Sequence, residues 1–417
     1  MASPSIKRLG MLVLLLVGGI ATSCDRVGYA DATGPWVFEQ ERRGDTTIVR
    51  TISGSVWGDT MQLVPEVGIG VMDGSPAEVF GRIASLDLDG RGRLLVLDAH
   101  AREVRVFSGA GEHLASFGGH GGGPGEFQSA DFLRATPDGH VVVRDQAAAR
   151  FSVFDSDGNY LGGWPRATGF GTNAPFYVDG HGRVINPSLT DRLLVYGLDG
   201  TPPDTIPIPG VGYEAPRLEV VVSGGTAWYD IPFMPGESWT IARDGRIVTG
   251  VSNLYAVDLR DPNGPVLRIE RRVEPVPVTD GEASQARDQV TRSIRASNDP
   301  NWRWRGPDIP ATKPMFQDLR AGLDGTVWVF REGLSNEEPN PNWDPGQPMM
   351  GAQTLWVAPV IADVFDSDGR YLGPVEIPRN VAWAYPHPVL SKEMVWAATI
   401  HEAGFPQVVR YDIQPKR

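Results

Sequence analysis

Asp87, Arg134, Tyr177, Thr240 and Arg320 each stand five residues before a turn glycine (Gly92, Gly139, Gly182, Gly245 and Gly325). Two guanidiniums, a carboxylate, a phenol and a hydroxyl could hold an anionic or polar group, with the arginines offering planar, forked donors. The rows on either side are apolar. Six residues back are Leu86, Leu133, Phe176, Trp239 and Leu319, and four back are Leu88, Ala135, Val178, Ile241 and Ala321. Side chains alternate along a strand, so the apolar rows must fill one face between sheets and the polar row the opposite face. Polar groups on an innermost strand cost free energy unless they pair or meet water. Two readings of the row stand: a wet axial channel lined partly by Asp87, Arg134 and Arg320 that takes a ligand, or salt bridges between neighbouring sheets.

Other residue types with chemical potential are scattered. The seven histidines, His100, His113, His120, His140, His181, His387 and His401, do not recur at one position of any repeat, so no metal-binding ring is visible. The turns Asp87 to Gly90 and Asp155 to Gly158 carry two carboxylates each, a fragment of a calcium loop without its remaining ligands. No cofactor is expected, and calcium is the one candidate metal. No Gly-x-Ser-x-Gly nucleophile elbow occurs. The string from Gly118 to Phe127 lacks the Lys-Ser/Thr pair of a phosphate loop and precedes no helix. Its glycines are expected to serve a sharp turn instead.

The elements that would position the polar row repeat along the chain. Gly92 and Gly139 are 47 residues apart, as are Gly111 and Gly158, and they align Ile83 to Phe117 with Ala130 to Trp164. Each copy holds four strand-like segments separated by turns, which reads as an antiparallel meander. Such a sheet cannot bury both faces alone, and stacking copies around an axis gives a β-propeller. Looser copies follow at Ala174 to Ile208, Ser238 to Val278 and Met315 to Ile377. A sixth, with strands Met394 to Ile400 and Gln407 to Ile413, lacks an outer strand. Met61 to Gly70 has no sheet of its own and is expected to close that last one. The fold expected is all-β: a six-bladed propeller with one inserted helix.

The first two copies resemble the NHL-repeat family. The resemblance rests on Gly-Pro-Gly-Glu-Phe at 123–127, on Asp98 and Asp145 nine residues before Phe107 and Phe154, and on Val-Phe-Asp-Ser-Asp-Gly at 153–158 and again at 364–369. It implies a six-bladed propeller similar to the NHL-type lipoproteins of bacteria. Related propellers include calcium-dependent lactonases and an amidoglycolate lyase with metal-bound histidines. The resemblance therefore carries a metal-dependent hydrolase or lyase, working in the axial channel, as the alternative to a non-enzymatic binding module.

Three stretches break the spacing, and an added function would sit there most easily. Gly210 to Glu237 carries Trp228, Tyr229 and Phe233. Thr279 to Pro314 opens with a helix capped by Thr279, expected to end by Asn298, and continues to Trp302 and Trp304. Glu332 to Thr354 holds Trp343, Met349 and Met350. These aromatics either recognise a ligand or pin their loops. With Asp87, Arg134, Tyr177 and Arg320, Trp302 and Trp304 are the expected ligand-binding residues.

At the N-terminus, Lys7 and Arg8 precede the apolar run Leu9 to Ile20 and the string Ala21-Thr22-Ser23-Cys24. This is the pattern of an export signal, too short for a permanent membrane span. The string resembles a bacterial lipobox, with Ala21 where Leu is commonest. Cys24 is the only cysteine, which suits acylation and excludes an internal disulfide. The expected organisation is a signal over 1–23, a lipid-anchored tether over 24–45, and the propeller over 46–417, placed in the bacterial cell envelope. The net charge is −13, and loss of Lys7 and Arg8 takes the remainder to −15, which disfavours nucleic acid. The expected partner is an extracytoplasmic protein, peptide or glycan, bound by a monomer.

Overall fold

The computed structural model describes residues 33–416 apart from 167–173, 189–191, 202, 209, 211, 223–224, 262–263, 345 and 347–351. The expected signal, Cys24, Met349 and Met350 lie outside the described residues. Three four-stranded antiparallel sheets follow in chain order. The first is Ile83–Leu88, Leu94–Asp98, Glu103–Phe107 and His113–Gly118. The second is Ala130–Ala135, Val141–Asp145, Arg150–Phe154 and Tyr160–Pro165, and the third Tyr177–Val178, Val184–Pro187, Arg192–Tyr196 and Asp204–Pro207. Glu237–Ile241, Ile247–Val251, Ala256–Arg260 and Val266–Arg271 form the next, and Asp318–Ala321, Val327–Glu332, Val360–Phe365 and Tyr371–Ile377 the one after. In the last, Val389–Leu390, Met394–Ile400 and Pro406–Pro415 are completed by Met61–Ile69, antiparallel from Met61↔Pro415 to Ile69↔Val408. An N-terminal strand thus takes the outer position of a C-terminal sheet and covers its edge.

The apolar rows of the inner strands pack each sheet on its predecessor. Leu133 and Ala135 meet Leu95 and Leu97 of the first sheet, and Phe176 and Val178 meet Val142 and Phe151 of the second. Leu319 meets Val248 and Val257 of the fourth. Leu86 and Leu88 of the first sheet close the circuit against Trp396 and Val408 of the last. Each such leucine or phenylalanine contributes roughly 1.5–3 kcal/mol by leaving water. A ring in which every sheet buries one face on its neighbour is the arrangement of a β-propeller.

Repeated aspartates fasten the connections. Asp98 accepts backbone hydrogen bonds from Gly81, Arg82, His100 and Ala101, and Asp145 does the same for Gln128, Ser129 and Ala148. In the Gly-rich string, Gly118 and Gly119 hold φ of +104° and +134°. A Cβ on Gly118 would lie 2.4 Å from the ring of Phe127, which is fully buried. Only glycine can pass the chain over that ring in this backbone region. In the Asp-x-Asp-Gly turn, Asp155 Oδ1 accepts from the backbone of Asp157 and Asn159, and Asp89 likewise serves Arg91 and Arg93. These oxygens already have donors.

One N-terminal segment differs from expectation. Thr46–Ser53 pairs in parallel with Val266–Arg271 of the fourth sheet, and Val37–Arg43, expected in the tether, pairs with Thr46–Ser53. Val37–Arg43 is exposed at every position, so it carries no alternation of apolar and polar residues. Backbone pairing, the stacked rings of Trp36 and Phe38 at 4.0 Å and the Arg50–Glu39 contact hold it.

Candidate functional site

The inner strands all enter the ring in the same sense, and alternation turns their polar row toward one central cavity of about 70 Å³. Asp87, Arg134, Tyr177, Thr240 and Arg320 line it, joined by Arg243 and His387. Register explains the sixth position. Leu390 pairs with Val395 as Ala321 pairs with Val327, so Val389 stands where Arg320 stands in the preceding sheet. It is buried and apolar. His387 lies two residues earlier, on the same side of the alternation as Asp318 and Phe132.

Asp87 is fully occupied. Its Oδ1 accepts from Leu88 N at 2.9 Å and from Arg243 Nη2 at 2.8 Å, and its Oδ2 accepts from Ala135 N at 2.9 Å. Arg243 follows its inner strand in the fourth sheet, so the pair reaches from one sheet across the centre to another. Arg320 Nη2 lies 2.6 Å from Asp318 Oδ2, and its Nη1 lies 2.8 Å from the His387 ring nitrogens. Asp318 Oδ1 accepts from Leu319 N and Ser238 Oγ. Burial, with Arg320 and Arg134 adding to it, pushes the His387 pKa down to about 2. The imidazole is therefore neutral and has one nitrogen to accept from Arg320.

Arg134 is bound differently. Its Nη1 donates to the Leu133 and Leu86 carbonyls at 3.0 and 3.4 Å, and its guanidinium sits 4.4 Å from the centre of the Phe132 ring. Among the described residues no carboxylate lies within ion-pairing distance of it. Burial lowers its pKa although Asp87 opposes this, and Arg243 and Arg320 push the same way as burial. Burial likewise raises the Tyr177 pKa against Arg320 and a hydrogen bond with Thr240, so the phenol stays protonated. The cavity thus holds three guanidiniums against two carboxylates, with Arg134 as the excess.

The insertions gather elsewhere, into one cap. Hairpin Arg217–Val222 and Gly225–Asp230 lays Leu218 and Val220 against Ile294 of the helix Asp280–Ser297 and against Trp302. Trp302 is 4% exposed, and Trp304 packs beside it at 6.2 Å with its indole N–H on the Pro307 carbonyl. Helix residue Gln285 bonds the backbone of Thr354 and Trp356, at and just beyond the end of the third insertion. Lys313 lies 3.0 Å from Glu282 Oε1, and Ser335 donates to the same oxygen. The structure therefore brings Asp87, Arg134, Tyr177 and Arg320 together and places Trp302 and Trp304 apart from them. Trp228 is exposed, while Tyr229, Phe233 and Trp343 are half-buried. Arg243, Asp318 and His387 were missed from sequence. Counting seven residues back from the glycines, one alternation beyond the polar row, finds Asp318 with Ser85, Phe132, Pro175 and Ser238. The last sheet has no turn glycine from which to reach His387.

No protein-family profile matches the chain, and no curated protein matches it in sequence. Among solved structures it is similar to a member of the DUF4221 family from Bacteroides vulgatus, at 11% identity and TM-score 0.48 over 85% of this chain and 99% of that one. It is also similar to a streptogramin B lyase, at 12% identity and TM-score 0.41 over 86% and 100%. A virginiamycin B lyase from Staphylococcus aureus shares 12% identity at TM-score 0.38 over 79% and 94%.

Proposed function

We propose that this protein is an exported, six-bladed propeller of the NHL-repeat type, lipid-anchored at Cys24, that acts as a monomeric, non-enzymatic binding module in the cell envelope. Its ligand is a protein, peptide or glycan met outside the cytoplasmic membrane. The observation that carries this reading is the central cavity, where side chains from successive inner strands converge with a guanidinium that no carboxylate matches. Convergent polar groups in an otherwise apolar ring are the usual mark of a binding site. The metal-dependent alternative would need a ligand set, and among the described residues no three His, Cys, Asp or Glu side chains group to hold an ion.

The test uses membrane-extracted protein. Arrays of peptides and of glycans are probed with the wild type and with Arg320→Gln, alongside mass spectrometry of the N-terminal peptide. Binding that Arg320→Gln weakens, from protein acylated at Cys24, supports the reading. Turnover of a bound compound, or a mature chain that begins elsewhere and stays soluble, overturns the corresponding part.

A further inference from the structure

The contrast between the ring centre and the rest of the molecule narrows what the cavity accepts. Elsewhere, five of the six buried cations among the described residues sit against carboxylates, and the sixth, Arg166, donates to Gln146 Oε1 at 2.6 Å. Arg144 is 2.6 Å from Asp131, Arg105 is 3.4 Å from Asp98, and Lys313 is 3.0 Å from Glu282. Arg271 and Arg331 share Asp363 at 2.9 and 2.6 Å. Arrangements of this kind need nothing further, because the desolvation of each charge is offset by its partner. A ring centre that served only as a plug should be matched in the same way.

It is not matched. Asp87 and Asp318 are taken by Arg243 and Arg320, and His387 is neutral. Arg134 meets two backbone carbonyls through Nη1, and its Nε and Nη2 donate to no protein acceptor among the described residues. Nε of Arg320 is buried without a hydrogen-bond partner, as are those of Arg105 and Arg331, so the difference lies in the missing carboxylate at Arg134. Tyr177 and Thr240 add hydroxyls on the same wall. The space, about 70 Å³, holds a few waters or one small polar group. Only a small group fits, and the charge to be met is a single one.

From this we infer that the cavity is a carboxylate site: one carboxylate group, free or at the tip of a larger ligand, sits between Arg134 and Arg320. The planar forks of the guanidiniums match the two oxygens of a carboxylate side by side. One negative charge brings the cavity to neutrality, whereas a doubly charged phosphate or sulfate overshoots beside Asp87 and Asp318. The inference rests on the binding-module reading and gives the chemical class of what its site grips. It applies equally to an acidic sugar, a peptide C-terminus or a free short-chain acid, because each presents the same group.

The experiment is a titration of the full-length purified protein with formate, acetate, sulfate and phosphate against chloride at matched ionic strength. It is read by the thermal midpoint and by line broadening of 13C-acetate. Formate and acetate are expected to raise the midpoint and broaden the acetate resonance, with sulfate and phosphate weaker. Arg134→Gln should weaken acetate roughly 10- to 100-fold, the range for a hydrogen bond to a charged group. Arg134→Lys, which keeps the charge and loses the fork, should fall between. Arg305→Gln removes the same charge from the exposed cap and should bind as the wild type does. Equal acetate binding by wild type and Arg134→Gln overturns the inference, as does a preference for phosphate or sulfate. Should Arg134→Gln fail to fold, the lysine variant decides by the same readouts. If a peptide or glycan still binds the arrays while acetate does not bind at all, the carboxylate assignment falls and the binding module stands.

Discussion

Replacing Asp363 by alanine should cost this protein a large, pH-dependent part of its stability. Asp363 is fully buried in Val360–Phe365, and Tyr255 and Tyr371 each donate a hydroxyl to it at 2.7 Å. Arg271 and Arg331 lie 2.9 and 2.6 Å from it. Tyr255 and Arg271 belong to the fourth sheet, so this carboxylate ties the fourth sheet to the fifth. Burial alone raises the Asp363 pKa, but Arg271, Arg331 and the two phenols outweigh it and hold the group well below the ordinary carboxylate range. Removing one member of such a buried ionic network costs about 3–5 kcal/mol. With an unfolding entropy of ~2.1 cal/mol/K per residue over roughly 380 residues, that is a drop of about 4–6 °C in the thermal midpoint at pH 7. The folded pKa is depressed, so the carboxylate stabilises above its unfolded value of 3.8 and loses that contribution as pH falls through the lower folded value. The alanine variant should therefore converge on the wild type only below about pH 4. Calorimetry at a series of pH values tests this. A midpoint within about 1 °C of wild type at pH 7 would refute the reasoning, as would a deficit that does not shrink in acid.

Acid should also act through His387. Its folded pKa of about 2 lies below the ordinary 6.5, so the unfolded chain takes up a proton that the folded chain refuses. Stability then falls as pH drops below 6.5, by at most ~1.4 kcal/mol per pH unit from this group. His387→Gln should flatten the slope between pH 7 and 5 in urea titrations, and an unchanged slope would count against a neutral, buried imidazole. In the cap, Trp302→Ala should cost about 3–5 kcal/mol locally. Limited proteolysis is expected to cut the 217–230 hairpin faster while acetate binding at the ring centre persists. Loss of acetate binding in that variant would show that cap and cavity are coupled.

The polar row was legible because two regularities coincide in it: alternation along a strand, and a turn glycine after each inner strand that serves as a ruler. Where one regularity fails, the reading stops. Val389–Leu390 is followed by Ser391 and Lys392 rather than a glycine turn, so His387 could not be aligned even though it follows the same alternation as Asp318. Val37–Arg43 joins a sheet chiefly through its backbone, and a strand exposed on both faces leaves no pattern in its side chains.

Trp302 shows a third kind of loss. A tryptophan that pins a loop and one that recognises a ligand are the same residue in the same kind of loop, and nothing at its own position separates them. The distinction lies in whether an apolar face elsewhere needs covering. Leu218, Val220 and Val222 alternate on one side of a hairpin, and such a two-stranded ribbon is marginal unless something buries that side. The helix offers Ile294, and Trp302 closes the gap between them. Charge behaves in the opposite way: a half-buried guanidinium turned into a cavity with no carboxylate beside it is not accounted for by the groups around it, so it draws attention to a ligand. By that criterion, the unmatched guanidinium of Arg134 is better evidence of a ligand than any aromatic of the cap.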